Sequence, residues 1–208
     1  MMQLSRTRTI VYLTFLVTMW GVNWPLSKYA LEFAPPLLFA GLRIFIGGLI
    51  LLPFAFPRYK KLDLKHTWHI YLISALLNII LFFVFQTFGL KVMPAGLFST
   101  IVFLQPVLLG VGAWLWLGES MTGLKMAGLF LGFLGVAVVS VSGGSGDISS
   151  AGILLGLAST ITWTFGTIFI KKTATRVDAV WVITIQMIFG GIVLLVTGSA
   201  VESWTDIV

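Results

Sequence analysis

FAGLRIFIGGLILLP, residues 39–53, is apolar throughout except for one arginine, Arg43. With its flanks it runs from Glu32 to Arg58 without another charge, 25 intervening residues in all. A helix rising 1.5 Å per residue needs roughly 20 such residues to cross a bilayer's hydrocarbon. Similar charge-free runs extend from Arg8 to Lys28, Lys65 to Lys91, Lys91 to Glu119, Lys125 to Asp147, Asp147 to Lys171 and Asp178 to Glu202. Strict alternation is absent and the runs are too long for tilted barrel strands, so they read as helices. The expected fold is therefore an all-α polytopic membrane protein with seven transmembrane helices.

Composition agrees. Of 208 residues, 58% are hydrophobic and 10% charged, against about 45–50% and about 25% in soluble domains. There is no cysteine, which excludes disulfides and thiol metal sites. The first run follows Arg6 and Arg8 but lacks a small-residue cleavage site, and reads as a retained helix. The net charge of +6 reads as topology-setting charge, not as a nucleic-acid surface. With the N-terminus inside, the inner segments hold Arg6, Arg8, Arg58, Lys60, Lys61, Lys65, Lys125, Lys171, Lys172 and Arg176. The outer ones hold only Lys28 and Lys91. Basic loops stay on the cytoplasmic side, so a cytoplasmic N-terminus is expected. The glycine-rich SGGSGDISS, residues 142–150, becomes an outer loop.

The opening stretch recurs as VITIQMIFGGIVLLV, residues 182–196. A shift of 143 positions places Gly47-Gly48 on Gly190-Gly191, Leu51-Leu52 on Leu194-Leu195 and Arg43 on Gln186. The same shift places Trp20 on Trp163 and Lys28 on Lys171. The first copy, residues 1–142, holds five spans. An odd number makes the second copy, residues 151–208, enter the membrane inverted. Inverted repeats are a construction rule of secondary transporters, with the substrate near the midplane between the halves. The second copy shows only two spans, so the chain reads as a truncated form or a piece of a roughly ten-span protein. A natural seven-span protein is the alternative.

Three further stretches, MWGVNWPLSK (19–28), PAGLFSTIVFLQPVLLGVGAWLWLGESMTGLKMAGLFLGFLGVAVV (94–139) and GLASTITWTFGTIFIKK (156–172), join residues 39–53 in resembling one family. It is the EamA domain of the drug/metabolite transporter superfamily. Gln105-Pro106 and Leu117-Gly118-Glu119 carry the most specific part. The resemblance covers essentially the whole chain. It implies ten helices in two inverted five-helix units, of which seven are present here. It also implies export of small metabolites such as amino acids or related compounds, from a bacterial plasma membrane. A non-transporting seven-span receptor or sensor component is the alternative function, supported by span count alone. No phosphate loop, nucleophile–base pair or paired carboxylates occur, so an enzyme is not expected.

Polar residues inside apolar spans are the site candidates, because each needs a partner away from water. Arg43 has no acidic residue within any of the seven runs. It either faces an aqueous cavity, where it would attract a substrate carboxylate, or bonds to backbone carbonyls or snorkels. Trp20, Asn23 and Ser27 share one helical face, as do Trp163, Thr167 and Lys171. Matching polar faces on two inverted helices suit a shared cavity; interfacial tryptophan belts are the competing account. Lys28 and Lys171 read as helix-end markers. Asn78, Gln86 and Gln105 are cavity candidates or interhelical glue, and Gln186 is either packing glue or an echo of Arg43. The candidate substrate site is thus Trp20, Asn23, Arg43, Asn78, Gln105, Trp163 and Thr167. Glu119 reads as structural, either in the turn into the fifth span or pairing with Lys125. Gly128 and Gly132 form a small-xxx-small pair, a packing seam or a candidate homodimer contact. His66 and His69 read as interfacial histidines, and no cofactor or metal is expected. The expected partners are a small-molecule substrate and the lipid bilayer.

Overall fold

The computed structural model describes residues 5–142 and 149–203. Residues 143–148 of the glycine-rich stretch, with Asp147 among them, and residues 204–208 lie outside that description. Every regular element among the described residues is helical: α1 (Arg6–Ala30), α2 (Pro36–Ala55), α3 (Leu64–Val92), α4 (Ala95–Leu117), α5 (Gly123–Ser142), α6 (Ser150–Thr173) and α7 (Ala179–Val201). Six of these are long and apolar enough to cross a membrane, and α5 is a further apolar helix of 20 residues.

Local chemistry marks the helix starts. The side chains of Ser5, Asp63, Ser149 and Asp178 accept backbone N–H bonds from Arg8, His66, Gly152 and Val180, satisfying donors a first turn leaves free. At the start of α2, Pro35 and Pro36 offer no such acceptor. Glu202, just past α7, supplies it. Its carboxylate accepts from Leu37 N at 2.9 and 3.0 Å and from Leu38 N at 3.0 Å, and a negative charge there also suits the helix dipole. Gly118, at φ +66°, closes α4 in the left-handed conformation that glycine adopts without strain.

Two spans depart from the uniform helices their sequences suggest. A π-helical turn interrupts α3 at Leu76–Leu81 and carries Asn78. The α4 helix is broken at Phe103 and Leu104, just before Gln105-Pro106. Pro106 lacks an N–H and crowds the preceding turn, so a break one turn earlier follows.

The α2–α7 pair forms the centre of the molecule, and it runs antiparallel. A methyl group at Gly48 would come within 2.9 Å of the Ile188 backbone, and one at Gly191 within 2.8 Å of the Phe45 backbone. Gly48 and Gly191 are 143 positions apart, and so are Phe45 and Ile188. The two contacts are therefore one contact made from either side, as a two-fold relation between the helices requires. Leu37, Ala40, Ile44, Ile79 and Leu194 bury their side chains along this seam.

The other helices dress this pair. The α3 and α4 helices pack on α6, while Trp24, Leu31, Leu90, Met93, Leu97, Phe98 and Ile101 form a second core between α1, α3 and α4. Most of α1 is uncovered: Ile10, Val11, Leu13, Phe15 and Val17 are all more than half exposed. In water that would be an aggregation surface. In a bilayer it is the ordinary lipid face.

The helix ends divide by charge. Arg58, Lys61 and Asp178 gather at one end, where Asp178 lies 3.5 Å from Arg58 and 3.8 Å from Lys61. Trp181 Nε1 donates to Arg58 O at 3.0 Å in the same place. Glu119, between α4 and α5, pairs there with Lys125 at 3.7 Å and with Lys171. Lys28, Lys91, Glu32 and Glu202 surround a wide opening at the opposite end.

A candidate substrate cavity around Arg43

Arg43 cannot remain unpartnered at this depth. A cation at a membrane helix centre costs about 2.5–3.5 kcal/mol on insertion scales. Nη1 donates to Asn23 Oδ1 at 3.0 Å and to Ser27 Oγ at 2.8 Å. Ser27 Oγ in turn lies 3.4 Å from Asn23 Oδ1. The guanidinium carbon lies 5.1 Å from the Phe39 ring centroid and 5.4 Å from that of Phe83. Hydrogen bonds from a charged donor contribute roughly 1.5–3 kcal/mol each, and a desolvated cation–π contact about 2 kcal/mol. These contacts offset the insertion cost without neutralising the charge, since none of the described carboxylates pairs with Arg43. Arginine has five N–H donors, and these two bonds occupy Nη1 alone.

The charge faces a cavity of about 630 Å³, within the usual range for a small-molecule site. Six helices line it: α1, α2, α3, α4, α6 and α7. All seven candidates singled out in the sequence, Trp20, Asn23, Arg43, Asn78, Gln105, Trp163 and Thr167, lie on its wall. Trp20 and Trp163, mates under the repeat, thus face one space from α1 and α6. Trp24, one turn from Trp20, is buried with its ring 6.0 Å from those of Phe98 and Phe103.

The wall also carries amides without partners. Asn78 Nδ2 and Oδ1, Gln86 Oε1, Gln105 Nε2 and Gln186 Oε1 are buried and make no hydrogen bond among the described residues. Asn78, Gln86 and Gln186 are each more than nine-tenths buried. An unmet buried polar atom costs about 1–3 kcal/mol, and all five of these atoms belong to side chains that line the cavity. The π turn and a glycine place the first of them: a methyl group at Gly166 would come within 2.5 Å of both amide atoms of Asn78.

Some contributors carry no distinct mark in the sequence. Phe39 and Phe83 are two of 17 phenylalanines, and only the fold shows them over Arg43. Gly166 follows no turn signal. Gln86 and Gln186 stand out as amides in apolar runs, but spacing alone does not separate cavity lining from glue.

The two lysines at the repeat positions stay out of the cavity and fasten helix ends. Lys28 Nζ donates to Leu90 O at 2.6 Å and Lys91 O at 3.1 Å, the free carbonyls closing α3. Lys171, its mate, bonds to Glu119 at the other end. That contact, with the Lys171 charge, holds the Glu119 carboxyl below its usual range, and Lys125 adds to the effect. Ser99 turns back to Gly96 O at 2.9 Å. His66 pairs with Asp63 at 2.9 Å. Gly132 lies near Val107 of α4, and Gly128 has open space beside it.

Comparison with known proteins supports the same architecture. The sequence profile described as the EamA-like transporter family matches residues 7–141 and 150–206. A Bacillus subtilis protein named uncharacterized transporter YvbV is 58% identical over 207 residues, covering 100% of this chain and 68% of that protein. An Escherichia coli protein named a probable amino-acid metabolite efflux pump is 31% identical over 160 residues, 75% of this chain and 51% of that one. A Chlamydia trachomatis S-adenosylmethionine/S-adenosylhomocysteine transporter is 27% identical over 210 residues, 95% of this chain and 64% of that one. One solved structure superposes with a TM-score of 0.69 at 20% identity over 88% of this chain and 64% of its own, a likeness of fold. The chain spans 62–68% of the length of YvbV, a second Bacillus subtilis transporter named YoaV and the Chlamydia protein. By the profile match and the identity to YvbV, the chain belongs to the EamA-like transporter family and is a multi-pass membrane protein.

Proposed function

We propose that this chain carries the substrate site of a secondary transporter, an exporter of small carboxylate-bearing metabolites such as amino acids or related compounds. The observation that carries the reading is Arg43: a charge unpaired by any described carboxylate, held by neutral groups, facing a cavity between six helices. A guanidinium with free donors in low dielectric is suited to bind a carboxylate through two parallel bonds. The names of the Escherichia coli and Chlamydia relatives point to substrates of that class.

The two-fold relation of α2 and α7 supports alternating access. The units at residues 1–142 and 151–208 would rock about the Gly48–Gly191 seam and open the cavity to each side in turn. The basic end of the bundle, with Arg58, Lys61, Lys125 and Lys171, would face the cytoplasm, with the N-terminus on the cytoplasmic side of the plasma membrane. Among the described residues no carboxylate or histidine lines the cavity, so proton relay would have to use other groups.

Counterflow of labelled compounds in proteoliposomes of the full-length protein tests the reading. Exchange of at least one carboxylate compound from a broad panel is expected. Absence of substrate-dependent exchange across the panel would sink it.

A further inference from the structure

The repeat that pairs Gly48 with Gly191 also pairs Arg43 with Gln186, and these two differ in charge. Arg43 lies seven residues into α2 from Pro36, and Gln186 lies seven residues into α7 from Ala179. The helices are antiparallel, so the cavity has a cation towards the Lys28 end and a neutral amide towards the Arg58 end. At 1.5 Å per residue the two positions differ in depth by about 10 Å.

Two further amides, Asn78 and Gln105, line the same cavity as Gln186. Gly190, one turn away on the same face of α7, abuts Ile79 of the π turn, which also carries Asn78. Gln105 opens the second half of α4. Together these groups leave Asn78 Nδ2 and Oδ1, Gln105 Nε2 and Gln186 Oε1 unpartnered among the described residues. Each of these side chains carries a donor and an acceptor, and an amide flip exchanges them.

We propose that Asn78, Gln105 and Gln186 form a second subsite, which takes an uncharged donor–acceptor group at the end of the substrate opposite its acid. The group is a carboxamide, a lactam or the amide-like edge of a ring. The inference rests on the transport reading above and names the chemistry of the same cavity. An ammonium group fits poorly: it can use only acceptors, it meets no carboxylate among the described lining residues, and it shares the space with Arg43. A second carboxylate fits poorly because, among the described lining residues, the cavity offers no cation besides Arg43 to meet its charge. A neutral amide offers a donor and an acceptor together, the two kinds of group that the Asn78, Gln105 and Gln186 side chains carry.

Three compounds of similar length separate the cases: glutaramate, 5-aminopentanoate and glutarate. Each has a carboxylate at one end, and the other end is a carboxamide, an ammonium or a second carboxylate, respectively. Trp20, Trp24 and Trp163 line the cavity, so tryptophan fluorescence of the full-length protein in nanodiscs at pH 7 reads binding. Glutaramate should bind about tenfold or more tightly than the other two, the effect of one unmet buried hydrogen bond. Gln186→Leu should reduce that preference to about twofold or less. Gln186→Glu should turn it towards 5-aminopentanoate, and Gln105→Leu gives a second route if either variant fails to fold. Equal binding of all three to the unaltered protein overturns the second subsite and leaves the acid-binding reading standing. A preference unchanged in the folded variants also overturns it. No binding of any of the three overturns both.

Discussion

Arg43 Nη1 lies 3.0 Å from Asn23 Oδ1, a charged donor on α2 held by a neutral acceptor on α1. A buried arginine kept for stability would be expected to meet a carboxylate. This one meets neutral partners and faces the cavity, so on the proposed function stability and binding can be separated. Arg43→Met removes the insertion cost of about 2.5–3.5 kcal/mol along with the favourable contacts. The variant should melt at or above the temperature of the unaltered protein while binding a carboxylate ligand at least tenfold more weakly. Arg43→Lys keeps the charge but not the planar fork and should show intermediate affinity. Thermal melting of both variants, alongside ligand titration, checks this; a large drop in melting temperature for Arg43→Met would mark the arginine as structural.

The reciprocal seam makes a paired prediction. A methyl group meets backbone atoms at 2.9 Å at Gly48 and 2.8 Å at Gly191, so neither helix can yield by rotating a side chain. Gly48→Ala and Gly191→Ala should each destabilise by about 1–3 kcal/mol, the usual penalty of overpacking. Gly21→Ala in α1, with nothing within 4 Å, serves as the control and should be neutral or slightly stabilising. Melting curves by size-exclusion detection decide it. A harmless alanine at one seam position and a harmful one at the other would break the two-fold account.

Glu202 caps a helix that begins with two prolines. Glu202→Ala leaves Leu37 and Leu38 N–H without their acceptor and should cost about 1–2 kcal/mol. Glu202→Gln keeps an acceptor and should recover part of it. Hydrogen exchange at the first turn of α2 reads the loss locally. Protection unchanged in the alanine variant would show that the cap does not hold that end.

The Glu119 carboxyl is held below its usual value mainly by the Lys171 hydrogen bond and charge. A lowered folded-state value means that this pair stabilises above the ordinary carboxyl range, about pH 4.3, and that the contribution fades as pH falls through the lowered value. Glu119 is solvent-exposed, so the effect is small. Melting temperature followed from pH 6 to pH 3 should fall slightly more for the unaltered protein than for Lys171→Ala. Identical acid profiles would remove the pair from the account.

Much of this was legible in the sequence because membranes make polar residues conspicuous. Asn23, Arg43, Asn78 and Gln105 interrupt apolar runs where an unpartnered group is costly, and all four lie on one cavity wall. The repeat was legible because Gly47-Gly48 and Gly190-Gly191 keep register over two helices, and the seam they form is reciprocal. The π turn at Leu76–Leu81 was not, since no proline or glycine marks it and the change is only in which carbonyl each N–H reaches. Nor was the stacking of Phe39 and Phe83 on Arg43, because a lipid-facing helix and a cavity-facing one use the same phenylalanines. Glu202 appears in the sequence only as the end of the last charge-free run, and its capping role depends on where α7 ends relative to α2.

Counterflow in proteoliposomes, comparing the full-length protein with Arg43→Met for a carboxylate compound that the unaltered protein exchanges, tests the central claim most directly. The account predicts that exchange falls by tenfold or more while insertion and melting temperature are retained. Undiminished exchange by a folded Arg43→Met protein would contradict it.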